Sequence, residues 1–399
     1  MELAYWIVGA IAGLILLLAL DFKIGRKLHL DQVNKKYFPI RNSNLDIFTH
    51  GPELFADYFD ELRQAKHHIH ILFYIVKNDT FSKEFLSILQ TKAKEGVEVR
   101  LMVDWVGATL SRKAIRQLRE SGAEFAFSRK PSLPFLFYSS QVRNHRKITI
   151  IDGKTGYTGG FNVGKEYIDL QKKLSPWRDY HLKVTGEGVQ DLQTEFLLDW
   201  KMASRINLLQ NKIYFPDLEK GRIRQQFVPS EGQMLEDILF NLIQKAEKSI
   251  FIGTPYFIPS RRIFNELLRC MEKGVKLKLL VPFKADHILV KEASYPYLRV
   301  MVKHGAEIHQ YQKGFYHAKV MVIDDKICDI GTANFDQRSM FLNLELNCLI
   351  YDQAFISKVN SILRQDLLDS ESINQHELNG FNPFRSMKER AARTVAYFL

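Results

Sequence analysis

The sequence predicts two similar α/β lobes behind a single apolar N-terminal helix. Three observations predict it. The chain opens on a long uncharged run, one set of helix and strand patterns occurs twice, and each copy carries the same polar motif.

Leu3 to Leu20 holds no charged or strongly polar residue. Eighteen helical residues at ~1.5 Å each span roughly 27 Å, close to a hydrocarbon core of about 30 Å. A cleaved leader carries positive charge before its apolar stretch, whereas only Met1 and Glu2 precede this one. Asp21, Lys23, Arg26 and Lys27 follow, and cations after a span place the downstream chain in the cytoplasm. Residues 1–28 are therefore expected to form a single-pass anchor with its helix at about 3–20. A buried core helix is the alternative.

The rest has the composition of a folded protein, with 46% apolar and 25% charged residues over 399 positions. Lys and Arg number 56 against 45 Asp and Glu, a net charge of +11. Such an excess suits anionic partners: nucleic acid, an anionic membrane or a phosphate-bearing substrate. Cys270, Cys328 and Cys348 are odd in number and lack C-x-x-C spacing, so neither a disulfide framework nor a zinc site is expected.

In the first copy a helix around 53–66 leads into a strand at 68–75, then a helix at about 82–95 ends at Gly96 before a strand at 97–104. In the second, a helix around 235–248 leads into 249–258, and a helix at about 262–273 ends at Gly274 before 275–282. Both glycines stand where a helix C-terminus favours a left-handed residue. Alternating strands and helices predict a largely parallel sheet in each lobe. Two copies imply a pseudo-two-fold axis. The lobes are placed at 45–215 and 225–399, with Gln210 to Gly232, containing Pro216, Gly221 and Pro229, as the bridge.

The paired motif carries the chemistry. His145, Lys147, Asp152, Gly159 and Asn162 recur as His317, Lys319, Asp324, Gly331 and Asn334, each 172 residues later. One such pattern is weak; two inside a repeat are hard to obtain by chance. His and Lys at i and i+2 of an extended segment share a face. A phosphate there meets an imidazole and an ammonium, and the lysines and asparagine amides can stabilise charge on transferring phosphoryl oxygens. Two lobes bring two sets to one pocket, one histidine attacking phosphorus and the other protonating the leaving oxygen. Those tasks require one neutral and one charged imidazole, so the two pKa values are expected to lie apart.

The candidate catalytic set is thus His145, Lys147, Asp152, His317, Lys319 and Asp324. Within it the aspartates, seven residues beyond each histidine, fall on the opposite strand face and are read as structural or supporting groups. Ile148–Ile151 and Val320–Ile323 between them look like buried central strands. Asn162, Asn334, Gly160 and Gly331 are assigned to phosphate binding and support. Asp179, 34 residues after His145, and Glu345, 28 after His317, are expected to orient their respective histidines.

At these residues the sequence resembles the phospholipase D superfamily over about residues 45–370. Asn334-Phe335-Asp336-Gln337-Arg338-Ser339 resembles the stretch after the family's second motif. Pro255-Tyr256-Phe257-Ile258-Pro259, Asp286-His287 and Gly314-Phe315-Tyr316-His317-Ala318-Lys319 are similar to the bacterial cardiolipin synthase branch, in its shorter, minor Gram-positive form. The resemblance implies an α/β/α sandwich with a mixed sheet in each lobe, metal-independent catalysis without a cofactor, and conversion of two phosphatidylglycerols into cardiolipin and glycerol through a phospho-histidine. It implies His145 as nucleophile and His317 as general acid, although pseudo-symmetry alone permits the reverse. The expected partners are anionic phospholipid and the membrane, with no nucleic acid. Many members carry two membrane helices, whereas one is found here. A hydrolase acting on lipid or nucleic acid, and a membrane scaffold, are the rival functions.

Two segments fall outside the repeat. Before His145 the first copy holds an insertion absent before His317, with Pro131-Ser132-Leu133-Pro134-Phe135-Leu136-Phe137-Tyr138. It reads either as a loop that dips into lipid or as buried packing. The tail from Phe384 to Leu399 reads as an amphipathic surface helix or as a cap on the second lobe.

Overall fold

The computed structural model describes residues 1–399 except 34, 36, 375–377 and 379–382. Among them sixteen strands join one mixed sheet. From the outer edge of the second lobe the order is Ser370–Ser372, Glu307–Tyr311, Lys276–Pro282, Ser249–Gly253, Val320–Ile323, Ile327–Gly331, Leu344–Ile350 and Ile223–Glu231. It continues through Arg41–His50, Trp177–Gly186, Thr155–Gly159, Ile148–Ile151, His68–Phe73, Glu98–Asp104 and Glu124–Ser128. The short strand Phe315–Tyr316 pairs with Trp177–Arg178 off this path. The first lobe's seven strands thus repeat the order of seven in the second, and the two sets meet where Arg41–Ser43 lies antiparallel to Ile223–Gln225. The expected bridge is shorter than residues 210–232, because its second half is the strand Ile223–Glu231.

Parallel pairing within each lobe's seven strands is confined to three, His68–Phe73 with Glu98–Asp104 and Glu124–Ser128, and their counterparts. The largely parallel expectation is corrected for a local reason. Each motif strand is followed by a tight turn rather than a crossover helix, so the next strand returns antiparallel. Helices Gly51–Gln64 and Thr80–Lys94 cover one face of the first lobe, and Leu235–Gln244 and Arg261–Glu272 do so in the second. Gly188–Ser204 and Gln353–Leu368 cover the other face through one core shared by both lobes, with Phe196, Trp200, Phe355 and Val359 buried there. Local sequence starts and stops these helices. Asp79, Ser111, Ser260 and Asp352 accept from the third backbone N–H beyond them. Gly96 and Gly274 end helices at φ +90° and +92°.

Asp152 and Asp324 sit in those tight turns, a strand's length from the motif lysines. Asp152 accepts from the backbone N–H groups of Lys66, His67 and His68 at 2.7–3.0 Å. Asp324 does the same for Glu247, Lys248 and Ser249 at 2.7–2.8 Å. The structure removes both from the catalytic set: they staple the entry of each lobe's first parallel strand. Burial disfavours ionisation of Asp152, but the three N–H donors outweigh it and its pKa is lowered. Its contribution is therefore complete above the unfolded carboxylate value of about 4 and is lost as pH falls through the lower folded value. Asp152→Asn is expected to cost roughly 2 kcal/mol at pH 7, reduced by its partial exposure, and progressively less as pH falls through its lowered folded value. Thermal unfolding of both proteins across pH measures this; a gap independent of pH would contradict it.

The N-terminal helix runs from Glu2 to Gln32, twelve residues beyond the apolar run. The extension docks on the body. Asp21 accepts from the Tyr138 N–H at 2.8 Å, Phe22 packs edge-on to Tyr138, Tyr397 and Phe398, and His29 bonds Tyr138 Oη at 2.6 Å and Glu231 at 2.9 Å. The insertion is in part buried packing: Tyr138 is buried and Phe135 and Phe137 are half-buried against this helix, while Leu133 and Leu136 stay exposed. The tail forms a helix, Pro383–Val395, against Val290–Lys303, so it caps the second lobe.

Candidate active site

Each motif histidine follows a segment that crosses to the other lobe. The N–H of His145 donates to the Leu344 carbonyl at 2.9 Å, and that of His317 to the Arg178 carbonyl at 2.7 Å. Leu344 and Arg178 each precede a carboxylate. The side chains follow the backbone: His145 Nδ1 lies 3.0 and 2.9 Å from the two oxygens of Glu345, and His317 Nδ1 lies 2.6 Å from Asp179 Oδ2. The carboxylates do orient the histidines, but crosswise, which corrects the expected same-lobe pairing. All four groups are buried. With Nδ1 held by a carboxylate, Nε2 is the nitrogen of each ring turned away from that carboxylate.

The lysines follow the symmetry. Lys147 Nζ donates to the His145 carbonyl at 2.8 Å, and Lys319 Nζ donates to that of His317. Lys319 also lies against its own imidazole, 2.6 Å from Nδ1 and 3.2 Å from Nε2, and 3.8 Å from Asp179. Tyr74 stands edge-on to His145 with ring centres 4.9 Å apart, and Tyr256 to His317 at 6.3 Å. Asp286 holds the Tyr256 hydroxyl at 2.5 Å.

The supporting residues differ between lobes. Gly160 leaves room for a carboxylate, since a Cβ there would stand 1.9 Å from Asp179 Oδ1. Thr332 takes that position in the second lobe and donates to Glu345 at 2.6 Å. At Gly331 a Cβ would meet Asn347 at 2.5 Å. Asn162 spends its amide on the chain, accepting from the Ile75 N–H at 3.0 Å and donating to Tyr167 at 3.3 Å. Asn334 is buried with Oδ1 unpartnered, and its side chain hydrogen-bonds the Asp336 carboxylate.

Sequence reasoning missed a buried frame around His145. Arg146 pairs with Asp199 at 2.9 Å and Glu195 at 2.6 Å, and donates to the carbonyls of Glu345 and Ser230, both at 3.1 Å. Asp104 holds Arg143 at 3.2 Å and the Asn144 N–H at 2.9 Å. A signal existed, since the first motif reads His-Arg-Lys and the second His-Ala-Lys.

Burial sets the electrostatics. Both imidazoles are pushed down to about 4 by desolvation; nearby lysine charge adds to this and the carboxylates oppose it. Both rings are lowered in the same direction, because both lie in one dry pocket beside lysine charge. Desolvation also lowers Lys147 to about 7 and Lys319 to about 8. Asp179 and Glu345 stay ionised against burial because cations and imidazoles face them.

The family model for the cardiolipin synthase, PLD-like domain matches residues 58–200 and 239–367. The chain belongs to the cardiolipin synthase family of the phospholipase D superfamily. It is 38% identical over 388 residues to the minor cardiolipin synthase of Bacillus subtilis (strain 168), covering 96% of each chain. With the major cardiolipin synthase of the same organism it shares 38% over 394 residues, 95% of this chain and 82% of that one. Among solved structures, the phosphatidylserine synthase of Haemophilus influenzae Rd KW20 superposes with a TM-score of 0.72 over 94% of this chain and 99% of that one. At 16% identity that likeness establishes the two-lobed fold alone. Cardiolipin synthases of this family are phosphatidyltransferases, and the crossed pair of histidines is the feature of the chain suited to such a transfer.

The lysine values give a pH prediction. A lysine that stabilises phosphoryl oxygens, the role expected of Lys147 and Lys319 from the sequence, has to be charged, and these charges are lost as pH rises through about 7 to about 8. The alkaline limb of kcat/KM is expected in that interval. Lys147→Arg, whose guanidinium stays charged, should move its onset toward the value of Lys319. A wild-type profile flat to pH 9 would refute this.

Proposed function

We propose that this chain is a cardiolipin synthase that moves a phosphatidyl group from one phosphatidylglycerol to the hydroxyl of another. The single observation that carries this reading is the pair of buried histidines, each held by a carboxylate of the opposite lobe.

His145 Nε2 attacks phosphorus, and the bond from phosphorus to the glycerol oxygen breaks. His317 gives its proton to that oxygen, and glycerol leaves. The glycerol hydroxyl of a second lipid then attacks the phospho-histidine, passes its proton to His317, and frees His145. Lys147 and Lys319 stabilise the equatorial oxygens. An imidazole with a pKa of about 4 is neutral at rest, so the anionic phosphodiester itself supplies the charge that lets His317 take up its proton. Reactant and product are both phosphodiesters, so the exchange requires no nucleotide. Excluding water favours transfer over hydrolysis.

The N-terminal helix has the length and composition of a membrane span. We read it as a single-pass anchor, with Lys23, Arg26 and Lys27 holding the body on the cytoplasmic side.

Purified protein with phosphatidylglycerol vesicles and a chelator tests the reading. Cardiolipin and glycerol are the expected products. Phosphatidic acid and glycerol without cardiolipin would replace the transferase with a hydrolase.

A further inference from the structure

We propose that the mouth of the active site carries an apolar rim, contributed by both lobes, that presses the site into the headgroup layer of an anionic bilayer. The proposal rests on the lipid reading for its purpose, but its evidence is separate.

Trp105 follows the strand Glu98–Asp104, and Asp104 binds Arg143 and the Asn144 N–H immediately before His145. Trp105 therefore stands at the histidine end of the sheet, yet is 47% exposed. Phe283 follows the pseudo-symmetric strand Lys276–Pro282 and is 48% exposed. Its loop includes Asp286, which holds the Tyr256 ring beside His317, and Ile288, which is 85% exposed. Between Arg129 and Arg143 the insertion adds Leu133 and Leu136, 81% and 52% exposed. Large apolar side chains from three separate loops are thus exposed at the histidine end of the sheet. Single exposed apolar residues need no explanation, but a set gathered around a site marks an interface.

The N-terminal helix indicates what covers them. Residues 22–29 pack on the insertion and on Glu231, and Glu231 neighbours Ser230, the residue opposite Glu345 in the sheet. The helix therefore leaves the body at the histidine end with Asp21 and Phe22 outermost, directly below the apolar run. From Phe22 to His29 the helix rises about 10 Å, and the interfacial layer is only ~5–8 Å thick on each side. With the apolar run in the hydrocarbon core, the histidine end of the body then lies close enough to the headgroups for the rim to enter them. Lys130 and Lys284 lie in the same loops and suit an anionic surface.

The full-length protein in phosphatidylglycerol–phosphatidylcholine vesicles tests the rim. The native cysteines are free and buried, so Trp105→Cys, Leu136→Cys and Ile288→Cys can each carry an environment-sensitive fluorophore. Ile213→Cys is the control, because Ile213 is exposed on the turn at the Asp152 end of the sheet, where Gly153 packs on Tyr214 and Pro216. Spin-labelled lipid is expected to quench the three rim sites several-fold more than position 213. Quenching no stronger at the rim than at 213 overturns the proposal. Rim quenching without turnover of phosphatidylglycerol would keep the rim and overturn the lipid-transfer reading. In addition, Trp105→Ser with Ile288→Ser is expected to lower kcat/KM on vesicles roughly tenfold and to leave turnover of dispersed short-chain phosphatidylglycerol near wild type. Equal losses on both substrates would overturn the rim.

Discussion

His145→Ala is expected to remove turnover of every phosphodiester, by on the order of 10⁴-fold or more. His317→Ala is expected to lose about 10²–10⁴-fold on phosphatidylglycerol and to recover most of it on a phosphatidyl ester with an aryl leaving group. The asymmetry follows from the two tasks. Without the nucleophile no covalent intermediate forms, whatever leaves. Without the general acid only the departure of a poor alkoxide is slowed, and an aryl oxide departs unprotonated. Rates on both substrates, with mass spectrometry of the trapped adduct, measure this. Rescue of His145→Ala by the aryl ester, or an adduct on His317 with none on His145, would reverse the assignment.

Glu345→Gln and Asp179→Asn are each expected to cost about 10²–10⁴-fold, and the kind of defect should cross between lobes. Glu345 lies in the second lobe but holds His145 of the first. Its amide is expected to reproduce the nucleophile defect, with no rescue by the aryl ester and little adduct. Asp179 lies in the first lobe and holds His317 of the second. Its amide should reproduce the acid defect and be rescued. In each case the amide can present N–H toward Nδ1, which favours the tautomer with its proton on Nε2 and leaves the ring in the wrong state. Pre-steady-state rates of adduct formation and release separate the two. Defects that stay within a lobe, with Asp179→Asn abolishing the adduct, would contradict the crossed pairing.

The alternation of helix and strand, the two copies and most element bounds were legible because local periodicity and capping express them. Ile148–Ile151 and Val320–Ile323 are strands at the expected residues. The aspartates could be read as structural because an odd offset on a strand points away from the histidine. Less was legible where partners are distant in sequence. Arg146 resembled a spacer between two motif residues, yet it is buried against Glu195 and Asp199. The polar half of the N-terminal helix read as a short flank, because its docking partners, Tyr138, Glu231 and Phe398, lie more than a hundred residues away.

By itself the sequence determined that the molecule is a repeat, that each half carries an imidazole and an ammonium on one face, and that a span-length apolar helix precedes them. Those properties are set by residue type and spacing along a single strand or helix. Tertiary structure alone decided which carboxylate serves which histidine, and that burial lowers both imidazole pKa values. An offset along the chain measures position within a lobe, whereas the segment before each histidine bonds to the strand of the other lobe, so the partner comes from across the axis. Burial belongs to the pocket the lobes close together, and it acts on both rings alike.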